Sequence, residues 1–263
     1  MAGYEHLRRT EDGVVATVAL ARPDTRNALN SALIEELTTC FEELAADDRV
    51  CVVVLTGEGS SFCAGADIGY MRDTARFSYE ENLRDARRLA AMFRAVDECP
   101  KPVVAKAKGA AVGGGVGLVA VADIAVAAEG TKFAFSEVRL GIAPATIAPF
   151  VVRKIGYSHA RALFLSGERF GVQRAREIGL VHEVVPEDGL DGAISAKVDA
   201  LLAGGPRAQA AVKMLLREIE DLESLDALAQ MSGVISGLRV GEEGQEGLGA
   251  FLEKREPRWR ERL

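Results

Sequence analysis

The run Cys51-Val-Val-Val-Leu-Thr56 constrains this chain more than any other segment. Val52 to Leu55 leave no polar face, so a strand here must be buried on both sides. A sheet with one wet face would show alternation instead. Gly57-Glu58-Gly59 then marks a loop. Such a strand belongs in a parallel sheet flanked by helices, and the surrounding sequence supplies both kinds of element. Val14 to Leu20, Val103 to Lys106, Ile124 to Ala127 and Phe133 to Phe135 read as further strands. Leu33, Ile34, Leu37, Phe41 and Leu44 recur with helical spacing. Asn30 or Ser31 is the expected cap of that helix, with Glu35 and Glu36 in its first turn. Leu83, Ala86, Ala90, Phe93 and Val96 predict a second helix that stops before Pro100. Beyond Arg153 helical patterns dominate: His159 to Leu165, Val172 to Ile178, Ile194 to Leu202, Arg207 to Ile219 and Leu222 to Leu238. A strand-like piece, Val181 to Val185, interrupts them. The order predicts an α/β core with a helical C-terminal region and no internal repeat.

Composition excludes several classes. Lys and Arg number 32 against 39 Asp and Glu, a net charge of −7, which is unfavourable for binding nucleic acid. Cys40, Cys51, Cys63 and Cys99 stand apart without a C-x-x-C pair. His6, His159 and His182 have no ligand-like spacing, so neither a disulfide framework nor a metal site is expected. The first 13 residues carry charges where a secretory leader needs an apolar core. The longest apolar stretch, Val116 to Ala128, includes Gly117 and Asp123 and is too short to span a bilayer. The expectation is a cytoplasmic protein.

Two loops follow predicted strands and are rich in small residues: Ser61-Phe-Cys-Ala-Gly-Ala-Asp67 and Gly113-Gly114-Gly115. The carboxyl ends of parallel strands are where ligands bind. Small residues there let a ligand approach the backbone, and two N–H groups aimed at one oxygen make an oxyanion hole. A helix starting at the triple glycine would add its dipole. Taken singly, each loop reads equally well as a tight packed turn. Glu137, beside Phe133 to Phe135, is a candidate acid–base group if its carboxyl is desolvated, although a lone glutamate at a strand end is usually a solvated one. Gly115-Val-Gly117-Leu-Val-Ala120 also fits the dinucleotide pattern G-x-G-x-x-A, with Glu137 downstream for a ribose. That match is short, and it falls far from the start of the chain. No G-x-x-x-x-G-K-[ST] and no G-x-S-x-G is present.

Six segments in order carry a broader likeness: Asn27-Ala-Leu-Asn30, Phe62 to Ile68, Gly109 to Gly115, Phe135 to Ile142, Ala175 to Val181 and Gly247 to Arg255. Together they resemble the enoyl-CoA hydratase/isomerase (crotonase) family across nearly the whole chain. The resemblance implies a crotonase-like spiral of ββα units over residues 1–200 and a helical trimerisation region over 201–263. It implies a homotrimer or a hexamer of paired trimers acting on acyl-CoA thioesters, with no cofactor beyond the coenzyme A of the substrate. The carry-over gives the N–H groups of Ala66 and Gly114 as oxyanion donors, beside Gly113, with Glu137 as the catalytic carboxylate. Ala64 and Ile68 would touch adenine, and Asp67 and Gly113 also belong to the implied substrate- and CoA-binding set. Arg26 and Ala28 would line the pantetheine and phosphate path. Phe251 and Lys254 match positions that hold CoA in relatives, sometimes across a subunit boundary. They open onto a tail, Lys254 to Leu263, with five basic and two acidic residues.

The chain departs from the family pattern at one place. Hydratases of the family carry a first glutamate four residues after Gly113, where this chain has Gly117. A single carboxylate at Glu137 suits an isomerase that moves one proton between carbons. Ser136 to Pro149 and Ser236 to Trp259, however, resemble the bacterial methylglutaconyl-CoA hydratase-like subgroup, whose members also can lack the first glutamate. The leading expectation is therefore hydration of a 2-enoyl-CoA, branched acyl groups included. A 3-enoyl-CoA to 2-enoyl-CoA isomerase is the alternative, and a CoA-ester binding protein without catalysis is a third.

Overall fold

The computed structural model describes residues 3–221 and 233–262. Its large sheet has six strands in the order β1 (Leu7–Asp12), β2 (Val15–Leu20), β3 (Val52–Gly57), β4 (Val103–Ala107), β6 (Ile124–Ala128) and β9 (Glu183–Val185). Only the β1–β2 pair is antiparallel. The apolar run at Val52 to Leu55 is buried on both faces, as its composition requires. Val53, Leu55, Val103 and Ala105 join the main core, while Val52, Val54, Val104 and Val126 pack on Leu190, Ile194 and Val198 of helix α7 (Leu190–Leu202). The period of two along each strand thus divides one sheet between two apolar layers.

Helix α1 (Ser31–Ala46) buries Leu33, Leu37, Phe41 and Leu44 on one face. Each such side chain contributes about 1.5–3 kcal/mol. Asn30 caps it, its side chain accepting from Leu33 N at 2.9 Å. Glu35 and Glu36 lie past the first turn, contrary to expectation; Glu36 instead accepts from the backbone N–H groups of Glu5 and His6, tying down the start of the chain. A short helix, α2 (Ile68–Thr74), follows the 61–67 loop and precedes α3 (Tyr79–Glu98), which a Ser78/Glu81 capping box opens.

A second sheet is made of β5 (Ala110–Val112), β7 (Lys132–Ala134) and β8 (Arg169–Gly171). The chain alternates between the sheets: β4 feeds the large one and β5 the small one, followed by α4 (Gly114–Val121); β6 and β7 repeat the step before α5 (Ala148–Ser166). These repeated ββα steps are the spiral. After α6 (Val172–Glu177) and α7 come α8 (Pro206–Asp221) and α9 (Glu242–Glu253). Residues 233–240 are helical; the rest of the helix expected over Leu222 to Leu238 lies outside the described residues. Glu243 of α9 accepts from Arg207 N and Ala208 N, satisfying the open N-terminus of α8. Val212 and Leu216 of α8 and Leu248, Phe251 and Leu252 of α9 are exposed.

Candidate active site

Three neighbouring chain segments deliver the site. Cys63 bridges Ala111 of β5 in parallel, and Ala111 pairs with Phe133 of β7 in parallel. All three segments therefore end at the same edge. Three residues past Cys63 is Ala66; three past Ala111 is Gly114; four past Phe133 is Glu137. Gly113 N donates to Ala134 O at 2.9 Å, tying the ends of β5 and β7 together.

Peptide geometry aims the two N–H groups. In a trans peptide the C=O and the following N–H point opposite ways. The carbonyl of Gly65 accepts from Leu29 N at 2.7 Å, so the Ala66 N–H points away from Leu29. The carbonyl of Gly113 accepts from Val116 N and Gly117 N, inside α4. The Gly114 N–H therefore points out of the helix N-terminus, where the helix dipole favours negative charge. The loops touch closely. A Cβ on Gly65 would lie 2.9 Å from Val112 O, and one on Gly115 would lie 2.4 Å from Cys63 O. Gly65 (φ 94°) and Gly113 (φ 51°) both occupy conformations that disfavour a side chain.

Glu137 opens a short 3-10 turn, Glu137–Leu140, beyond β7. Its Oε1 would lie 3.0 Å from a Cβ on Gly113, so the carboxylate stands directly over the glycine that precedes the Gly114 donor. Its Oε2 is buried and has no hydrogen-bond partner. Burial raises the carboxyl above the ordinary glutamate range, opposed by a hydrogen bond from its own backbone N–H. An unpaired, desolvated carboxylate beside two aimed N–H groups can move a proton at a carbon whose neighbouring carbonyl is held as an oxyanion. Cys63, though adjacent, is no nucleophile: burial pushes its thiol up to about 12.

The remaining residues of the predicted site fall into two groups. Arg26, Ala28, Ala64, Asp67 and Ile68 gather at the 61–67 loop. Arg26 and Ile68 are exposed, Ala28 is buried, and Arg26 O accepts from Ala64 N at 2.9 Å. Asp67 caps α2, accepting from Gly69 N and Tyr70 N, and pairs with Arg22 at 3.0 Å. Burial opposes its charge, but these bonds hold its carboxyl below the usual range. Phe251 and Lys254 lie elsewhere in the single chain. They belong to α9 and its left-handed end, and α9 shares a cleft with Cys51 and Pro100 to Pro102, at the starting ends of β3 and β4.

Sequence reasoning missed two kinds of residue. Arg22 donates to Ala28 O as well as to Asp67, and buried Asn27 donates to Glu58 O and Ser61 O while accepting from Arg22 N. This clamp fixes the 61–67 loop against residues 26–29. Asn27 stood in a recognised motif; Arg22 stood in none. Phe93 and Ile147 were the other omission. A Cβ on Gly117 would lie 2.5 Å from Ile147 Cγ2 and 2.8 Å from Phe93 Cε1. The dinucleotide pattern fails on the same helix: α4 begins at Gly114, so Gly115 and Gly117 lie inside it rather than in a phosphate loop.

The ββα spiral thus brings two aimed backbone N–H groups and a buried carboxylate to one strand edge. The enoyl-CoA hydratase/isomerase family profile matches residues 10–262, and the chain belongs to that family. It is 36% identical to the enoyl-CoA hydratase ACTT6 of Alternaria alternata over 95% of this chain and 81% of the relative. It is 36% identical to the 2,3-dehydroadipyl-CoA hydratase of Escherichia coli, over 92% of this chain and 94% of the relative. The crystal structure of an enoyl-CoA hydratase from Shewanella pealeana superposes with a TM-score of 0.94 at 40% identity, covering 97% of this chain and 96% of that one.

Proposed function

We propose that the protein adds water across the double bond of a 2-enoyl-CoA, branched and methylglutaconyl-type acyl groups included. The buried, unpartnered Oε2 of Glu137 beside Gly113 carries this reading. The thioester oxygen accepts from Ala66 N–H and Gly114 N–H. Glu137 takes a proton from water as the oxygen of that water bonds C3. The C2–C3 π pair moves into the C1–C2 bond, and the carbonyl oxygen becomes the enolate oxyanion. Glu137 then returns its proton to C2, so one water is added and the carboxylate is restored. Arg26, Ala28, Ala64 and Ile68 carry the CoA portion along the 61–67 loop, and the substrate supplies the coenzyme. The relatives named hydratases support this reading.

A second reading shares the site. From a 3-enoyl-CoA, Glu137 takes a proton from C2 and returns it to C4 while the double bond moves to C2–C3. Gly117, which leaves Glu137 without a second carboxylate, favours it. Incubation with 2-enoyl-CoA and 3-enoyl-CoA series, with product identification, tests both. A 3-hydroxyacyl-CoA product supports hydration; conversion of the 3-enoyl ester without hydration supports isomerisation. Tight binding of CoA esters with turnover of neither leaves a binding protein.

The exposed apolar faces of α8 and α9 support a trimer or hexamer in which residues 201–263 pack between subunits and bring Phe251 and Lys254 to a neighbour's CoA. Light scattering is expected to show it, and a monomer at micromolar concentration contradicts it. Fractionation should place the enzyme in the cytoplasm.

A further inference from the structure

Leu29 reaches both proposed oxyanion donors. Its N–H donates to Gly65 O at 2.7 Å and its carbonyl accepts from Asp67 N at 2.9 Å, so both peptides that meet at Ala66 are tied to it. The first of these bonds sets the plane of the Gly65–Ala66 peptide, and with it the direction of the Ala66 N–H. The buried Leu29 side chain extends to the other donor, its Cδ1 lying 2.7 Å from where a Cβ on Gly114 would be. The aim of the Ala66 N–H therefore depends on what holds Leu29. The chain just before it needs holding. Arg26 and Asn27 have φ of 52° and 58°, left-handed values that persist in residues with side chains when surrounding bonds impose them.

Arg22 supplies such bonds. Its backbone N–H donates to Asn27 Oδ1 at 2.9 Å. Its Nη1 donates to Ala28 O, the carbonyl just before Leu29. Its Nη2 donates to Asp67 Oδ2 at 3.0 Å, on the residue just after Ala66. The two ends of the guanidinium fork thus grip both sides of the Leu29–Ala66 bridge. The side chains of the pair are 15% and 17% exposed, so solvent screens their attraction little. A planar guanidinium fixes the spacing of its two contacts, which an ammonium on a flexible stem does not. We infer that Arg22 is a positioning residue of the reaction: through Ala28 and Asp67 it fixes the Leu29–Ala66 bridge and thereby aims the Ala66 N–H at the thioester oxygen. The inference rests on the reading of Ala66 and Gly114 as oxyanion donors given above. Arg22 acts through the loop that it holds.

The test reads the thioester carbonyl itself. A saturated acyl-CoA with an isotopic label at its thioester carbon is bound to the enzyme, and its C=O stretch is recorded by infrared difference spectroscopy. Donors preorganised around the oxygen lower that frequency relative to the free ester in water. Arg22→Met should lose a large part of this shift, and kcat on an enoyl-CoA should fall by roughly 10- to 100-fold, the scale of a misplaced group. A purely structural role lowers the Tm and the folded fraction but leaves the frequency of the bound ester unchanged. A folded Arg22→Met with the wild-type frequency therefore overturns the inference, whatever its kcat. Arg22→Lys keeps the charge and loses the fork, so its frequency should fall between the two. Should Arg22→Met not fold, Arg22→Lys decides, and the wild-type frequency there overturns the inference in the same way. Gly114→Pro separates this inference from the reading beneath it. If the wild-type enzyme does not lower the frequency, or Gly114→Pro leaves the shift whole, the oxyanion assignment fails. If Gly114→Pro removes part of the shift and Arg22→Met removes none, only the positioning role of Arg22 fails.

Discussion

Gly113, the N-cap of α4, and Gly117, inside that helix, lack side chains for different reasons. At Gly113 the backbone has φ 51°, and the carboxylate of Glu137 stands 3.0 Å from where a Cβ would be. The missing side chain there leaves room for the Glu137 carboxylate at the N-terminus of α4. At Gly117 the backbone is ordinary helix, and the space belongs to Phe93 and Ile147. The first glycine makes room for a carboxylate, and the second makes room for two core side chains. Within four residues the chain thus passes from a desolvated carboxylate to packed hydrocarbon.

The largest expected effect lies on the open side. Glu137→Gln keeps the shape and removes proton transfer, a contribution of roughly 10²–10⁴-fold in rate. Turnover of 2-enoyl-CoA and 3-enoyl-CoA should fall together, while binding of a CoA ester measured by calorimetry persists. Wild-type rates in this variant would mean that another residue moves the proton.

Gly114→Pro comes next. Gly114 is the first residue of α4, a position where proline fits the helix and the lost N–H has no helical acceptor. The added ring meets Leu29 Cδ1, the end of a side chain able to shift. The variant should therefore fold and lose one oxyanion donor, about 2.7–4 kcal/mol of transition-state stabilisation. Steady-state kinetics check it, and undiminished kcat/KM in a folded protein would remove Gly114 from the oxyanion hole.

Gly117→Ala probes the closed side, and its effect should appear in stability. Its Cβ overlaps two packed neighbours, and overpacking of this kind costs about 1–3 kcal/mol. Thermal unfolding should show a lowered Tm, whereas an unchanged Tm would mean that Phe93 and Ile147 yield easily.

Much of this was legible in the sequence, and what was not has physical causes. The buried strands and α1 and α3 announced themselves through unbroken or periodic apolar residues. β1 did not, because an edge strand reading Leu-Arg-Arg-Thr-Glu-Asp buries only Leu7 and carries no apolar alternation. β5 and β8 are three residues each and exist through pairing with β7, a partner distant in sequence. The glycine loops could be read as backbone donors from residue type and position alone. The Glu137 carboxylate could not be placed over Gly113 that way; only the family resemblance joined them. The packing of Phe93 and Ile147 on Gly117 was invisible for the same reason, since they lie 24 and 30 residues from it on either side.

The smallest expected effect is the pH dependence of stability, and its sign tests the desolvation of Glu137. Burial raises this carboxyl in the folded chain above its unfolded value. The folded state then binds the proton more tightly, so the group favours folding below the unfolded pKa. That contribution is lost as pH rises through the folded pKa, leaving an ionised carboxylate whose buried Oε2 has no partner, which costs stability at neutral pH. Glu137→Gln removes the titration. Its amide brings its own buried N–H groups, an unsatisfied cost of about 1–3 kcal/mol that does not vary with pH. The offset between variant and wild type at pH 7 is therefore a sum of two terms, but its change with pH belongs to Glu137 alone. The stability of Glu137→Gln relative to wild type should fall as pH is lowered through the raised pKa, and level off below the ordinary glutamate range. Denaturant melts of both proteins across that window measure it. A relative stability that climbs on acidification would mean that the folded carboxylate is held ionised by a partner. The contrast between an open, reactive Gly113 side and a closed Gly117 side would then lose its electrostatic half.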